Sequence, residues 1–392
     1  MVKAFGDESG MPSAGCLSHS LQLVIKSDLL RLPSVEKLIE KVRKVVSFAN
    51  HSDKFYVEFR KQQRFHTMEE GKPELVLIQD VPTRWNSTFY MLERFLKLKS
   101  PLISSMANSE DYDVKVELRK DDWSLMDKIV KVLKSFEEAT QMLSTKNACI
   151  SQTIPIITLI IQQLNTSKSK ADTGVKTLKR DLQSAMEARF DHYESDDKYT
   201  LATFMDPRFK GIMFRKRETL GNVKEKLIHL LESKLQNELE SDSDENMNSS
   251  IMEDERNANS SIMEEESSAH TLAATFAKIR NRSINQCNDQ EDSPLFEATQ
   301  FVEQYSNSKV VETEEEALEF WKSKASSMKS IDKMAAKLAE YYLTPPATSV
   351  DVERLFSTAG DIRTQERNRL LPENAGKILF LKENLPRVNF DY

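Results

Sequence analysis

Apolar residues return every third or fourth position along most of this chain, and that spacing constrains its fold more than any other feature. Leu17, Leu21, Val24 and Ile25 share one helical face. Val35, Leu38, Ile39, Val42, Val45 and Val46 share the next. The same period predicts helices over Asp53–Phe65, Trp123–Leu143, Ile150–Leu164, Thr177–His192 and Leu220–Leu239. Shorter ones follow at Glu297–Tyr305, Ala317–Ser326 and Ile331–Tyr342, with Phe320 and Trp321 as aromatic anchors. Only 9 Gly and 12 Pro punctuate 392 residues, so tight turns are few. Pro207 ends any helix entering Thr200–Phe209. One run departs from the pattern. Leu75-Val-Leu-Ile78, flanked by Gly71-Lys-Pro73 and by Asp80 and Pro82, predicts a short buried strand.

Length favours two structural units, or one domain with a large insertion. The formal charge of −7 is unevenly placed, because Glu232–Ser268 holds 12 Asp/Glu against 2 Lys/Arg and the remainder is mildly basic. Within that tract Asn248-Ser-Ser-Ile-Met-Glu253 recurs as Asn259-Ser-Ser-Ile-Met-Glu264. With so little apolar surface, 241–269 reads as a disordered acidic insert. Three Cys cannot build a disulfide framework, which points to a reducing compartment. No apolar run of ~18 residues or signal-like N-terminus predicts a membrane segment or secretion.

The last two helices are sharply marked. Thr348 with Asp351 predicts a capping start and Gly360 a stop. Val352, Leu355, Phe356 and Ala359 form one apolar stripe, either a partner surface or core. Pro372 opens the final helix, whose Ile378, Leu379 and Leu381 are expected to face inward.

Few residues suggest chemistry on their own. Cys16 and His19 lie one helical turn apart, but a zinc site needs more ligands than this pair, so a packed Cys and a locally bonded His compete with a metal reading. Arg84-Trp85 offers a guanidinium fork beside an indole, suited to nucleic acid or to ordinary core packing. Arg363, Arg367 and Arg369 cluster after Gly360, as a phosphate grip or a solvated loop. Glu353 borders the apolar stripe, and one carboxylate cannot hold two metal ions. No GxSxG, GxxxxGK[ST] or GxGxxG occurs, so triad hydrolysis, nucleotide cradles and small-molecule catalysis find no support.

Several stretches together resemble the hAT transposase superfamily and the zinc-finger BED-domain proteins related to it. Pro345-Pro-Ala-Thr-Ser-Val-Asp-Val-Glu-Arg-Leu-Phe-Ser-Thr-Ala-Gly360, with Arg367-Asn-Arg-Leu370 and Leu379-Phe-Leu-Lys382, is similar to the family's C-terminal dimerisation region. Val352 stands where the family's Ser precedes Glu-Arg. Cys16-Leu-Ser-His19 is similar to its CxxH motif, Asp80-Val-Pro-Thr-Arg-Trp-Asn-Ser-Thr88 to its Arg-Trp motif, and Asp206-Pro-Arg-Phe-Lys210 to a further recurrent segment. The resemblance implies a mainly α chain: a truncated RNase H-like core with few strands, interrupted by a large helical insertion domain. The corresponding borders are 1–100 for the core remnant, 101–342 for the insertion and 343–392 for the return.

Family catalysis uses Mg²⁺ held by two Asp and one Glu, and Glu353 falls on the Glu position. Only 15 residues precede Cys16, so the strands carrying both Asp, and the BED finger, are expected to be missing. The implied function is therefore non-catalytic and without cofactor. The resemblance further implies a homo-oligomer of the nucleus with DNA or chromatin as partner, acting in transcription, without membrane or small-molecule ligand. The competing expectation is a fragment of an active transposase.

Overall fold

The computed structural model describes residues 15–66, 73–109, 116–145, 148–165, 176–250, 293–312, 316–362 and 370–388. These fall into two compact units. One takes in His192–Pro345, the other Ala14–Asp191 together with Pro346–Tyr392. The borders at 100 and 342 follow motif positions, whereas these units follow packing.

The larger unit begins with α1 (Leu17–Val24), which widens into a π turn at Ile25–Leu29 and keeps Leu17, Leu21, Val24, Ile25 and Leu29 inside. In α2 (Pro33–His51) proline occupies the first turn, where no backbone donor is lost, and Val35, Leu38, Val42 and Val46 are buried. Then come α3 (Asp53–His66), α4 (Trp85–Lys97), α5 (Lys99–Asn108), α6 (Lys120–Leu143), α7 (Thr153–Asn165) and α8 (Lys176–Phe190). α6 starts where Asp122 accepts the Arg119 N–H at 2.9 Å. Its Trp123, Met126, Ile129, Leu133 and Phe136 are buried, each such side chain contributing roughly 1.5–3 kcal/mol. α7 buries apolar residues almost all round.

The expected strand at Leu75–Ile78 does not form, and no strand occurs among the described residues. The segment is extended, but its backbone is satisfied by side chains. Gln63 Nε2 donates to Leu75 O at 3.0 Å, its Oε1 accepts the Leu75 N–H at 2.9 Å, and Arg94 donates to Val76 O at 2.8 Å. Leu77 is buried while Val76 is half exposed, so one side chain anchors the segment without a sheet. The fold is mainly helical, and among the described residues the strands of an RNase H-like core are not seen.

The second unit holds α9 (Asp197–Met205), α10 (Arg217–Ser250), α11 (Pro294–Asn307), α12 (Ala317–Ala325) and α13 (Ser330–Leu343). Its core joins Phe204, Leu227, Leu231, Val302, Trp321, Ala335 and Ala339. α10 stays helical to Ser250, so irregular chain does not begin at Ser241; 251–269 lie outside the described residues. The Asp206–Lys210 segment is a buried polar knot after α9. Asp206 accepts the Arg208 N–H at 3.0 Å and two guanidinium bonds at 2.9 and 2.7 Å. Lys210, at φ 47°, sends Nζ to the carbonyls of Tyr305 (2.9 Å), Ser308 (2.6 Å) and Lys309 (3.2 Å), and so closes the end of α11. Burial pushes that ammonium below the ordinary lysine value. Among the described residues no helix is long and apolar enough to cross a membrane.

Candidate self-association surface

The chain re-enters the larger unit at Pro346. There an isolated antiparallel bridge pairs Pro346 with Cys149. Ala347 donates its N–H to Ala148 O at 3.1 Å and accepts the Leu17 N–H at 3.0 Å. Thr348 Oγ1 donates to Leu143 O at 3.2 Å, Ser349 N–H reaches Cys16 Sγ at 3.4 Å, and Arg354 donates to Ser144 O at 2.7 Å. Cys16 therefore receives the start of the C-terminal region, and His19 is exposed on α1. Among the described residues no three His, Cys, Asp or Glu side chains are grouped to hold a metal.

From this anchor run α14 (Val350–Ile362) and α15 (Pro372–Asn384), packed on one another. The expected Thr348–Asp351 cap is replaced: Thr348 accepts the Val350 N–H at 3.4 Å, while Ser349 donates to Glu353 at 2.8 Å. Asp351 pairs with Arg354 at 3.1 Å instead. Gly360 does not stop α14, which runs on to Ile362, because helix continuation costs a glycine only about 1 kcal/mol. Pro372 opens α15 as expected.

The apolar stripe is largely uncovered. Val352 and Phe356 are 48% and 58% exposed, and Leu355 and Ala359 are half-buried. On α15 Phe380 is 66% exposed, Leu379 is half-buried, and no residue is buried. Ile378 and Leu381 do not face inward; both are exposed, because among the described residues nothing packs over that side of α15. Leu371 and Val388 extend the apolar surface. Sequence periodicity detects such a stripe without telling a core face from a free one. Both helices thus leave large apolar side chains exposed, and clusters of that kind mark interaction surfaces.

The Arg-Trp motif lies elsewhere in the unit. Trp85 is only 3% exposed, which leaves its ring no free face for a base, while Arg84 is exposed at the start of α4. Asn86 and Tyr90 both hydrogen-bond the buried Glu137 carboxylate, which pushes the Tyr90 phenol above its ordinary value. Periodicity missed Glu137, because only the fold brings α6 to α4. Arg363, Arg367 and Arg369 lie outside the described residues.

Comparison with known proteins places family matches on both halves of this arrangement. Residues 14–132 match the ZBED1 RNase-like helical domain, and residues 301–385 match the hAT family C-terminal dimerisation region. Over these two stretches the chain is similar to transposase-derived proteins of the hAT type. Human zinc finger BED domain-containing protein 4 is 28% identical over 98% of this chain and 30% of its own length. The putative transcriptional regulator tpeD of Talaromyces stipitatus is 28% identical over 87% of the chain and 35% of its own length. The putative AC transposase of Zea mays is 29% identical over 50% of the chain and 24% of its own. The chain thus spans about a third of the curated relatives it matches.

Proposed function

We propose that this hAT-type chain is non-catalytic and self-associates through the α14–α15 hairpin, as a nuclear, DNA-associated protein in transcriptional regulation. The observation that carries the reading is the uncovered apolar face of Val352, Phe356, Ile378, Phe380 and Leu381 within the matched dimerisation region. The BED-domain relatives and the fungal transcriptional regulator support the nuclear and regulatory part. By resemblance Glu353 falls on the family's catalytic Glu position, and its side chain is engaged by Ser349. Arg84, with Arg363, Arg367 and Arg369, supplies the proposed phosphate contacts; such binding weakens steeply with salt.

Light scattering tests the interface. The wild-type chain is expected at twice its monomer mass, and Phe356→Ser with Phe380→Ser is expected at monomer mass with unchanged helicity. Both side chains are exposed, so their loss does not open a core. A variant that remains dimeric sinks the assignment.

The maize relative favours a second reading, a piece of an active Mg²⁺-dependent transposase. DNA cleavage by this chain in Mg²⁺ that disappears in Glu353→Gln would establish it. The expected result is no cleavage by either protein.

A further inference from the structure

Helices α12 and α13 pack on one another in the His192–Pro345 unit and leave a cleft of about 320 Å³ between them. From α12 it is lined by Leu318, Trp321, Lys322 and Ala325. From α13 and the residue after it come Lys333, Ala336, Lys337, Glu340 and Thr344. Both sets recur at i, i+3, i+4 and i+7, so each is one continuous helix face and the cleft runs along the pair. At ~1.5 Å of rise per residue the two faces extend for about 10 and about 16 Å, enough to receive a few turns of a third helix.

The floor of this cleft is apolar and firm. Trp321 is only 2% exposed and its indole N–H donates to Met205 O at 2.8 Å, which fixes the ring, and Ala336 is buried. Alanine at 325 and 336 keeps bulk out of the cleft from both sides. The rim is cationic. Lys333 and Lys337 are exposed and form no ion pair among the described residues. Lys322 pairs with Glu319 in an exposed bridge, a kind that contributes little and opens readily. Glu340 is the single acid on the lining, so three ammonium groups stand against one carboxylate. A phosphodiester backbone does not fill an apolar floor, and an uncharged apolar helix leaves the ammonium groups unmatched. An amphipathic helix with apolar anchors at i and i+3 or i+4, flanked by Asp and Glu, satisfies both.

We propose that the α12–α13 cleft is a docking site for an acidic amphipathic helix of a partner protein. The apolar anchors of that helix seat on Leu318, Trp321 and Ala336, and its carboxylates pair with Lys333 and Lys337. The proposal uses no residue of α14 or α15 and does not depend on self-association through that hairpin.

Fluorescence anisotropy on the full chain tests it with a fluorescein-labelled helical peptide that carries Leu at every third and fourth position and Glu elsewhere. A second probe keeps the Leu pattern and replaces each Glu by Lys. The Glu probe is expected to bind the wild type, and more weakly in roughly 0.5 M salt, where the Debye length is only a few Å. Lys333→Glu/Lys337→Glu is expected to weaken that binding at least about tenfold, since like charges then meet across the interface. Ala325→Trp fills one end of the cleft without changing its charge, and a similar loss is expected. All three positions are exposed, so the fold is retained, which an unchanged thermal midpoint checks. Phe356→Ser/Phe380→Ser is expected to bind the Glu probe as the wild type does. Absence of binding to the wild type, equal binding of the Lys probe, or an unchanged affinity in either cleft variant overturns the proposal. Tighter binding of a duplex oligonucleotide, lost in the lysine variant but kept in Ala325→Trp, assigns the lysines to phosphate and overturns it as well.

Discussion

Asp80 shows how much one side chain decides in a mainly helical chain. Burial pushes its carboxyl up, but the Arg43 fork at 2.7–3.1 Å and the Thr88 hydroxyl at 2.8 Å outweigh it and hold it below the ordinary 3.8. A folded-state value below the unfolded one means stability present above that ordinary value and lost as pH falls through the folded one. Asp80→Asn is therefore expected to cost about 2–3 kcal/mol near neutrality, with the difference from wild type shrinking in acid, read by urea unfolding across pH. Lys210→Met leaves the carbonyls of Tyr305, Ser308 and Lys309 without their shared donor. The expected loss is about 2–4 kcal/mol, and retained stability would show that water replaces the ammonium. Neither role was legible in sequence. Arg43 lies 37 positions from Asp80, and the cage around Lys210 is built of carbonyls some 95 positions away, which no pattern of side chains encodes.

At the scale of elements, helices were readable and their surroundings were not. Spacing alone gave α2, α6 and α7 because their buried faces repeat with the helical period. Leu75–Ile78 misled because an extended, apolar, Pro-flanked run satisfies every local criterion of a strand. Whether it pairs depends on a partner strand, and here Gln63 on α3 takes the partner's place with both ends of its amide. Gln63→Leu keeps the volume and removes both bonds. About 1–2 kcal/mol of stability should go with it, together with faster exchange of the Leu75 amide. Unchanged exchange at Leu75 would mean that packing of Leu77 alone holds the segment. The family motifs divide similarly. Asn86 and the Asp206–Lys210 segment turn out to be structural fastenings, visible as motifs in sequence but with roles that only partners reveal.

For the whole molecule, the proposed pairing through exposed helices would make stability depend on protein concentration. The midpoint of thermal unfolding is expected to rise by about 1 °C for each tenfold increase in protein, because a gain of about 1.4 kcal/mol per decade is shared by the two chains of a dimer. In Phe356→Ser/Phe380→Ser that dependence should vanish, and a wild-type midpoint independent of concentration would argue for a monomer. The stripe itself was legible in sequence. Its exposure was not, since a face is free only if nothing else in the fold reaches it.

The hydrogen bonds that tie Ala347 to Leu17 and Ala148 have a kinetic meaning. They join positions 330 and 199 apart in sequence, so the unit that begins at α1 is high in contact order however local its individual helices are. During synthesis α1 to α8 emerge before the His192–Pro345 unit, which follows with a core of its own. Only then does the chain supply the residues that finish the first unit. Until Pro346 leaves the ribosome, the start of α1 and the end of α6 wait with unmatched backbone groups, so this unit is completed only after the His192–Pro345 unit has been made.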